Sequence, residues 1–241
     1  MRIAVVSDIH GNLTAFEAVL ADLGETSPDL ILHGGDLAGA GSSPAQIVDR
    51  IRALGWQGVL GNADQMLFAP ESLSEFASQS SAPQSLWTAI AEEAAWTRAS
   101  LGEERLQWLR DLPRLQILDR LALVHASPAT TWRAPAHTAP DAELDSIYSP
   151  LARPVVVYGH IHVPFIRHIS RSEMIVANTG GVSLSYDGDP RAAYLLLDES
   201  EPTIRRVEYD VAKEIKALAG CGTPHADWIA RMLETAAPQM P

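Results

Sequence analysis

Short apolar runs alternate with helical stretches over the first part of the chain. The run Ile3 to Val6 predicts a buried strand, and apolar residues then recur every three or four positions from Leu13 to Leu23. A second apolar run covers Leu30 to His33, and a second helical pattern begins at Pro44. A third strand is predicted to end at Val59-Leu60. The beginning of the chain therefore predicts a βαβαβ arrangement.

The pattern changes between residues 65 and 113. A serine-rich stretch gives way to two helical stretches that carry Trp87, Trp96 and Trp108. We interpret the three tryptophans as packing residues. Because the stretch interrupts the βα pattern, we expect a helical cap insertion that lies across the strand ends, selects substrate and does not build the core.

The remainder of the chain is mainly β. Apolar runs separated by turn residues predict further strands, at 115–118, 121–125, 155–158, 165–169, 174–177, 192–197 and 203–209. A helix is expected from Pro140, and the chain from about residue 210 is predicted to be a helical extension. Residues 1–241 are expected to form a single domain.

Composition and charge exclude several classes of function. The formal net charge is −12, which argues against general nucleic-acid binding because that requires clustered lysine and arginine. Cys221 is the sole cysteine, so no intrachain disulfide or thiolate zinc cluster can form. Met1-Arg2 leads directly into the first strand without a signal core, and no apolar run suggests a membrane span. We expect a cytoplasmic protein without membrane attachment, and a homo-oligomer is compatible with the sequence.

Potential metal ligands follow five of the predicted strands. Taken singly, each has an ordinary explanation as a cap or loop contact, but all five strand ends supply oxygen or imidazole groups. They are Asp8 and His10, Asp36, Asn62, His125, and His160 with His162. In open α/β sheets the carboxyl ends of strands are where ligands bind. Mixed carboxylate, amide and imidazole ligands suit manganese, iron, zinc or nickel, and seven side chains exceed the needs of one ion. We expect two divalent transition-metal ions, with manganese as the first choice.

These motifs resemble the calcineurin-like metallophosphoesterase superfamily, in its small bacterial phosphodiesterase-type branch. The match in order and spacing comprises Asp8-x-His10, Gly35-Asp36, Gly61-Asn62, His125 and Gly159-His160-x-His162, and it runs from residue 3 to about 197. The resemblance implies an α/β fold, a four-layer αββα sandwich of two mixed β-sheets flanked by helices. It also implies that one ion is held by Asp8, His10 and His162, and the other by Asn62, His125 and His160. Asp36 would bridge the two ions.

The chain departs from the family pattern in two places. Ala63 stands where the phosphomonoesterase and protein-phosphatase branches carry a histidine thought to assist the leaving group. Leu37-Ala38-Gly39 replaces the Asp-Arg-Gly of the protein phosphatases. Asp64 and His33 are the alternative proton donors.

The expected function is hydrolysis of phosphodiester bonds by metal-activated hydroxide, on a small-molecule phosphoester. Asp36 and Asn62 are the candidate catalytic residues, and Asn62 and Arg133 are the candidate substrate contacts. One alternative is a phosphomonoesterase or serine/threonine-type protein phosphatase. Another is a catalytically silent scaffold of the same fold, which predicts decayed metal ligands.

Overall fold

Two five-stranded β-sheets pack face to face and carry helices on their outer faces. The computed structural model describes residues 1–199 and 201–241. The first sheet has the order β10-β9-β1-β2-β3 and the second the order β4-β5-β6-β8-β7. The ten strands are Arg2–Val6, Leu30–His33, Gln57–Gly58, Leu115–Ile117, Leu121–Val124, Val155–Tyr158, Phe165–Ile169, Met174–Asn178, Ala192–Asp198 and Glu201–Val207, numbered β1 to β10. The predicted αββα sandwich of two mixed sheets is confirmed.

Eight α-helices cover the sheets. They are Leu13–Thr26, Pro44–Leu54, Asn62–Phe68, Glu71–Ala77, Gln84–Arg110, Asp141–Tyr148, Val211–Cys221 and Ala226–Thr235, numbered α1 to α8 within the described residues. The two helical stretches expected in the insertion are present within α5, and they meet at a kink at Gly102, whose φ of 72° and ψ of 166° are not helical. Asn12 caps α1 as its sequence position suggests, since its side chain accepts a hydrogen bond from the Ala15 amide. None of the described helices is both long and apolar enough to cross a membrane.

The carboxyl ends of the parallel strands in both sheets lie at the same end of the sandwich. In the first sheet β1, β2 and β3 are parallel, and in the second β5, β6 and β8 are parallel. Side chains such as Val5 and Leu32 on one sheet and Leu123 and Val157 on the other form a buried cluster between the layers. The strands are apolar on both faces because each sheet is covered on both sides. The loops that follow these strands therefore meet at one end of the molecule.

The segment 65–113 is part of the core, so the expectation that it would not build the core is wrong. Leu101, Leu106 and Leu109 of α5 are buried in the cluster that packs α1 and α2 against the first sheet. Trp108 packs against the same cluster from a half-buried position. The amphipathic pattern of the segment did identify helices. It gave no sign that the part of α5 with Leu101, Leu106 and Leu109 packs into the core beside the first sheet.

Candidate metal centre

The seven candidate ligands come together at the carboxyl ends of the parallel strands. Asp8 and His10 follow β1, Asp36 follows β2, and Asn62 begins α3 after β3 and a short connection. His125 follows β5, whereas His160 and His162 follow β6. Both sheets thus contribute to a single cluster at the carboxyl ends of their strands, which is where ligands bind in open α/β sheets.

Five of the seven ligand residues have a left-handed backbone. The φ angles are 56° for Asp8, 48° for His10, 52° for Asp36, 67° for His160 and 56° for His162. This conformation costs a non-glycine residue of the order of 1 kcal/mol or more, and it persists only where surrounding contacts enforce it. Here the His10 amide donates to the Asp36 carbonyl at 3.0 Å, and the Asp8 amide donates to the Gly35 carbonyl at 3.0 Å. The loops are locked to one another, and their side chains turn inward.

The ligand atoms form two groups. Asp8, His10 and His162 make up the first, and Asp36, His125 and His160 the second, with the ligand atoms of each group lying within 4.8 Å of one another. In the first group the Nε2 atoms of His10 and His162 are 3.2 Å apart, and His162 Nε2 lies 3.3 Å from Asp8 Oδ1. Ring nitrogens and a carboxylate that face one another at such distances form a donor set that suits a cation.

Asp36 and Asn62 connect the groups. Asp36 Oδ2 lies 3.6 Å from His10 Nε2 in the first group and 3.4 Å from His125 Nε2 in the second. Asn62 Oδ1 lies 2.9 Å from His125 Nε2 and 2.8 Å from His160 Nδ1. Asp36 is therefore placed between the two groups, and Asn62 belongs with the second.

Hydrogen bonds from the outer ring nitrogens fix two of the imidazoles. His125 Nδ1 lies 2.8 Å from the Gly34 carbonyl, and His162 Nδ1 lies 2.8 Å from the Leu184 carbonyl. A carbonyl oxygen only accepts, so each Nδ1 carries the proton and donates. The Nε2 atoms are then left to face the cluster, which is the arrangement found in metal-binding histidines.

The charges within the cluster favour bound cations. Burial alone would raise the pKa of Asp36, but the nearby rings of His125 and His10 hold the pKa of this carboxyl below its usual range. Burial lowers the pKa of His10 and of His160 to about 4, so both rings are neutral at neutral pH and each has a nitrogen lone pair available for a cation. For His125, burial is outweighed by Asp36, which raises the pKa of the ring to about 9. Positive charge is stabilised beside these carboxylates.

Two glycines make room for the carboxylates. A Cβ atom on Gly61 would lie 2.0 Å from Asp36 Oδ1, and one on Gly159 would lie 2.3 Å from Asp8 Oδ2. Both distances are far inside van der Waals contact. The glycines that precede Asn62 and His160 therefore allow backbone and carboxylate to approach closely.

Asp64 supports the cluster from beneath, a role that the sequence did not indicate. It is fully buried, and it accepts hydrogen bonds from the amides of Leu37 and Ala38 at 3.0 Å. Burial and the neighbouring Asp36 carboxylate raise the pKa of Asp64 to about 7. The one feature of the sequence that could have indicated this role is the position of Asp64 two residues after Asn62. Asp64 fixes the loop that carries Asp36.

Arg133 and His33 lie outside the cluster. The Arg133 guanidinium donates to Gln79 Oε1 at 2.8 Å and lies over the Phe76 ring, so the structure does not bring this candidate substrate contact to the ligands. His33 is fully buried, and neither ring nitrogen has a hydrogen-bond partner among the residues that the structure describes. Its ring faces Trp108, with 6.0 Å between the ring centroids.

A cavity of about 420 Å³ opens over the ligands. Its floor contains His10, Asp36, Asn62, His160 and His162. Ala63 lies at the edge of this floor, and its amide donates to Asp36 Oδ1 at 2.8 Å. Neither Asp64 nor His33 lines the cavity. One wall comes from α5, in line with the expectation that the insertion lies across the strand ends. Another comes from the C-terminal segment, which the sequence did not connect with the site.

Comparison with known proteins relates the chain to one superfamily. Residues 1–201 match the calcineurin-like phosphoesterase superfamily domain. A crystal structure of a metallophosphoesterase from Sphaerobacter thermophilus is 28% identical, with a TM-score of 0.79, over 98% of this chain and 100% of that one. A hypothetical protein from Pyrococcus horikoshii shares the fold with a TM-score of 0.83, at 18% identity and over 99% of each chain.

Two sequence relatives are also similar. An uncharacterized protein of Methanocaldococcus jannaschii is 29% identical, and the match covers 96% of each chain. The symmetrical bis(5'-nucleosyl)-tetraphosphatase of Pectobacterium carotovorum is 29% identical over 173 residues, which are 66% of this chain and 56% of that enzyme. The family match extends over most of the chain and includes every candidate ligand. The chain belongs to the calcineurin-like phosphoesterase superfamily.

Proposed function

We propose that the protein is a dinuclear metal-dependent phosphoesterase that hydrolyses phosphodiester bonds. The observation that carries the proposal is the position of Asp36, whose Oδ2 atom lies within 3.6 Å of a ring nitrogen in each ligand group. A carboxylate shared in this way suits two adjacent cations. The superfamily match supports hydrolysis of a phosphoester.

Each residue would have a defined role. Asp8, His10 and His162 would hold one cation, and Asn62, His125 and His160 the other, with Asp36 in contact with both. When bound, two divalent cations supply Lewis acidity for phosphate oxygens and lower the pKa of a water molecule. Asn62, at the cavity floor, would orient a phosphate oxygen as well. Asp64 and the outer hydrogen bonds of His125 and His162 would keep these side chains in place.

Ala63 favours a diester over a monoester. An alkyl leaving group must gain a proton, and a positioned imidazole contributes roughly 10²- to 10⁴-fold to such a step. Ala63 has no proton to give, and neither Asp64 nor His33 reaches the cavity. Aryl diesters, whose leaving groups are more acidic, require this assistance least. This argues against a phosphomonoesterase or protein phosphatase, and the presence of all seven ligands argues against a silent scaffold.

A second candidate is hydrolysis of a dinucleoside polyphosphate. The specific observation in its favour is the match to a bis(5'-nucleosyl)-tetraphosphatase. The same two-cation chemistry would cleave a phosphoanhydride, so the substrate must be distinguished by experiment.

The test combines metal analysis with a substrate panel. Chelator-treated protein is reloaded with manganese, iron, zinc or nickel, and metal per chain is determined by elemental analysis. Turnover is then measured with bis(p-nitrophenyl) phosphate, an alkyl phosphate monoester, a phosphopeptide and diadenosine tetraphosphate. We expect two metal ions per chain and the highest kcat/KM for the diester. One ion per chain in an active enzyme, or faster turnover of the monoester, would contradict the proposal.

A further inference from the structure

The walls of the cavity over the metal centre are mostly apolar. Leu86 and Ile90 of α5 line one side. Trp228 and Met232 of α8, together with Met240, line another. The cavity volume of about 420 Å³ lies within the range of roughly 300 to 1,000 Å³ that is typical of small-molecule sites. There is room beside the phosphate position for an apolar group of moderate size.

Hydrogen bonds hold the C-terminal wall in place. Trp228 Nε1 donates to the Gln239 carbonyl at 2.8 Å, and an Arg231 guanidinium nitrogen donates to the Met240 carbonyl at 3.1 Å. Met232 and Ile229 pack α8 against Leu218 of α7 in a buried cluster. Because its main chain is tied to α8 at two successive carbonyls, the tail forms a built wall of the cavity.

The cavity contains no basic side chain to balance a second phosphate. Among the residues that the structure describes, those lining the cavity include neither lysine nor arginine. Arg231 donates a hydrogen bond to the Met240 carbonyl and does not line the cavity. One wall carries an acid, Glu93, whose carboxylate accepts hydrogen bonds from Thr223 Oγ1 and the His225 amide. Phosphate charges beyond those facing the metal ligands would thus lie against apolar surface and a carboxylate, which disfavours them.

We infer that this cavity selects a phosphodiester with a single negative charge and an apolar ester group, and rejects polyphosphates. The inference rests on the proposed function, because the metal centre must bind the phosphate. The apolar group would lie against Leu86, Ile90, Met232 and Met240. Selection would come from the burial of that group and from the missing counter-charges for additional phosphates.

The first measurement is binding by isothermal titration calorimetry to metal-loaded protein. Methylphosphonate and butylphosphonate present the same anionic head and differ by three methylene groups. Each methylene group moved from water to apolar surface favours binding by about threefold to fourfold. We expect butylphosphonate to bind on the order of tenfold more tightly than methylphosphonate.

The second measurement is kcat/KM for butyl p-nitrophenyl phosphate and for diadenosine tetraphosphate. In the diester, water adds to phosphorus, the P–O bond to p-nitrophenolate breaks, and butyl phosphate and a proton are released. We expect the diester to be preferred by at least about tenfold, because the tetraphosphate brings several charges that the cavity does not balance.

Two variants introduce a positive charge into the wall. Leu86→Lys changes a half-buried position of α5, and Met240→Lys changes a position that is 49% exposed, where folding is not at risk. Both should reduce the butyl-to-methyl affinity ratio and lower KM for the tetraphosphate. Leu115→Lys is the matched control, because Leu115 is 37% exposed on β4 and does not line the cavity. It should leave both quantities unchanged.

The outcomes separate this inference from the proposed function. Equal affinities for the two phosphonates in an active diesterase would overturn the inference alone. A Leu115→Lys effect as large as that of Met240→Lys would also overturn the inference alone. A higher kcat/KM for the tetraphosphate than for the diester would overturn the inference and favour the second candidate function. Metal-loaded protein that hydrolyses neither the diester nor the tetraphosphate would instead overturn the proposed function.

Discussion

Asp36 is the single residue on which the proposed two-metal arrangement depends. Its carboxylate faces ring nitrogens of both groups and accepts the Ala63 amide. Asp36→Asn keeps the shape of the side chain but removes its charge. We expect turnover to fall by at least about 10³-fold, with fewer than two metal ions per chain, because electrostatic stabilisation in such sites is of this order. Far-ultraviolet circular dichroism and elemental analysis report fold and metal content. A variant with two ions and normal activity would refute the bridging role.

Ala63 provides a gain-of-function test at the same floor. It is 4% exposed, lines the cavity and lies beside Asn62. A histidine here would place an imidazole where the leaving group departs, so Ala63→His should raise kcat/KM for an alkyl phosphate monoester by about tenfold or more. Both proteins are assayed with the same metal on one monoester and one aryl diester, and the diester rate serves as the control. If the wild-type protein already hydrolyses the alkyl monoester as well as the diester, Ala63 has been misinterpreted.

His33 should make the fold sensitive to acid. Burial lowers the pKa of its ring from 6.5 to about 3, and within the described part of the chain neither nitrogen has a hydrogen-bond partner. The ring is neutral in the folded protein and gains a proton on unfolding. Its stabilising contribution is fully present above about pH 6.5 and is lost as pH falls toward 3, by about 1.4 kcal/mol per pH unit.

The corresponding variant is His33→Leu, studied by urea unfolding of chelator-treated protein at pH 7.5 and 5.5. The wild-type protein should lose about 1 kcal/mol more stability between these values than the variant does. His168→Leu, at an exposed position of β7, is the control and should behave like wild type. If the free energy of unfolding depends on pH equally in wild type and His33→Leu, His33 is not the source of the acid sensitivity.

At the scale of elements, α5 stabilises the fold and also lines the cavity. Leu101 is fully buried in the core cluster, whereas Leu86 is half-buried at the cavity wall. Leu101→Ala should therefore cost about 2 to 5 kcal/mol of unfolding free energy, and Leu86→Ala less than about 1.5 kcal/mol. Urea unfolding measures both. Equal, small losses would restore the interpretation of this segment as a simple cap.

The sequence predicted those elements whose signals are local. The strands β1, β2 and β6 are short apolar runs followed at once by polar residues, so both their position and their ligands could be identified. The role of α5 depends on which surface its apolar side meets, and that is decided by tertiary packing. The third strand was expected to reach Leu60, but pairing with β2 involves Gln57 and Gly58. A strand so short carries little periodicity to detect.

At the scale of the whole molecule, Glu93 couples the middle of the chain to its C-terminal helices. This buried carboxylate accepts the Thr223 hydroxyl and the His225 amide, just before α8. Glu93→Ala should lower the free energy of unfolding by about 1 to 3 kcal/mol and loosen the packing of α8, because a buried hydroxyl and a part-buried amide lose their acceptor. Hydrogen exchange should become faster in Ala226–Thr235 and stay unchanged in β1 and β6.

Glu92→Ala is the neighbouring control. Glu92 pairs with the outer ring nitrogen of the same His225, but its side chain is 55% exposed. Exposed ion pairs contribute little to stability, so exchange in α8 should remain near the wild-type rate. A similar acceleration in both variants would mean that Glu93 has no special role. Contacts between such distant parts of the chain leave no periodic trace in the sequence. The cavity wall that α8 forms could therefore not be foreseen.

The left-handed backbone of five ligand residues has an evolutionary consequence. Among residues other than glycine, that conformation is most often adopted by asparagine, aspartate and histidine. The same three types make up the whole ligand set. Their codons differ from one another only in the first base, so single-base changes interchange them without disturbing the loops. We therefore expect natural relatives to change metal preference at these positions by exchanges among Asp, Asn and His. We expect no β-branched residues there, because they do not tolerate the left-handed backbone.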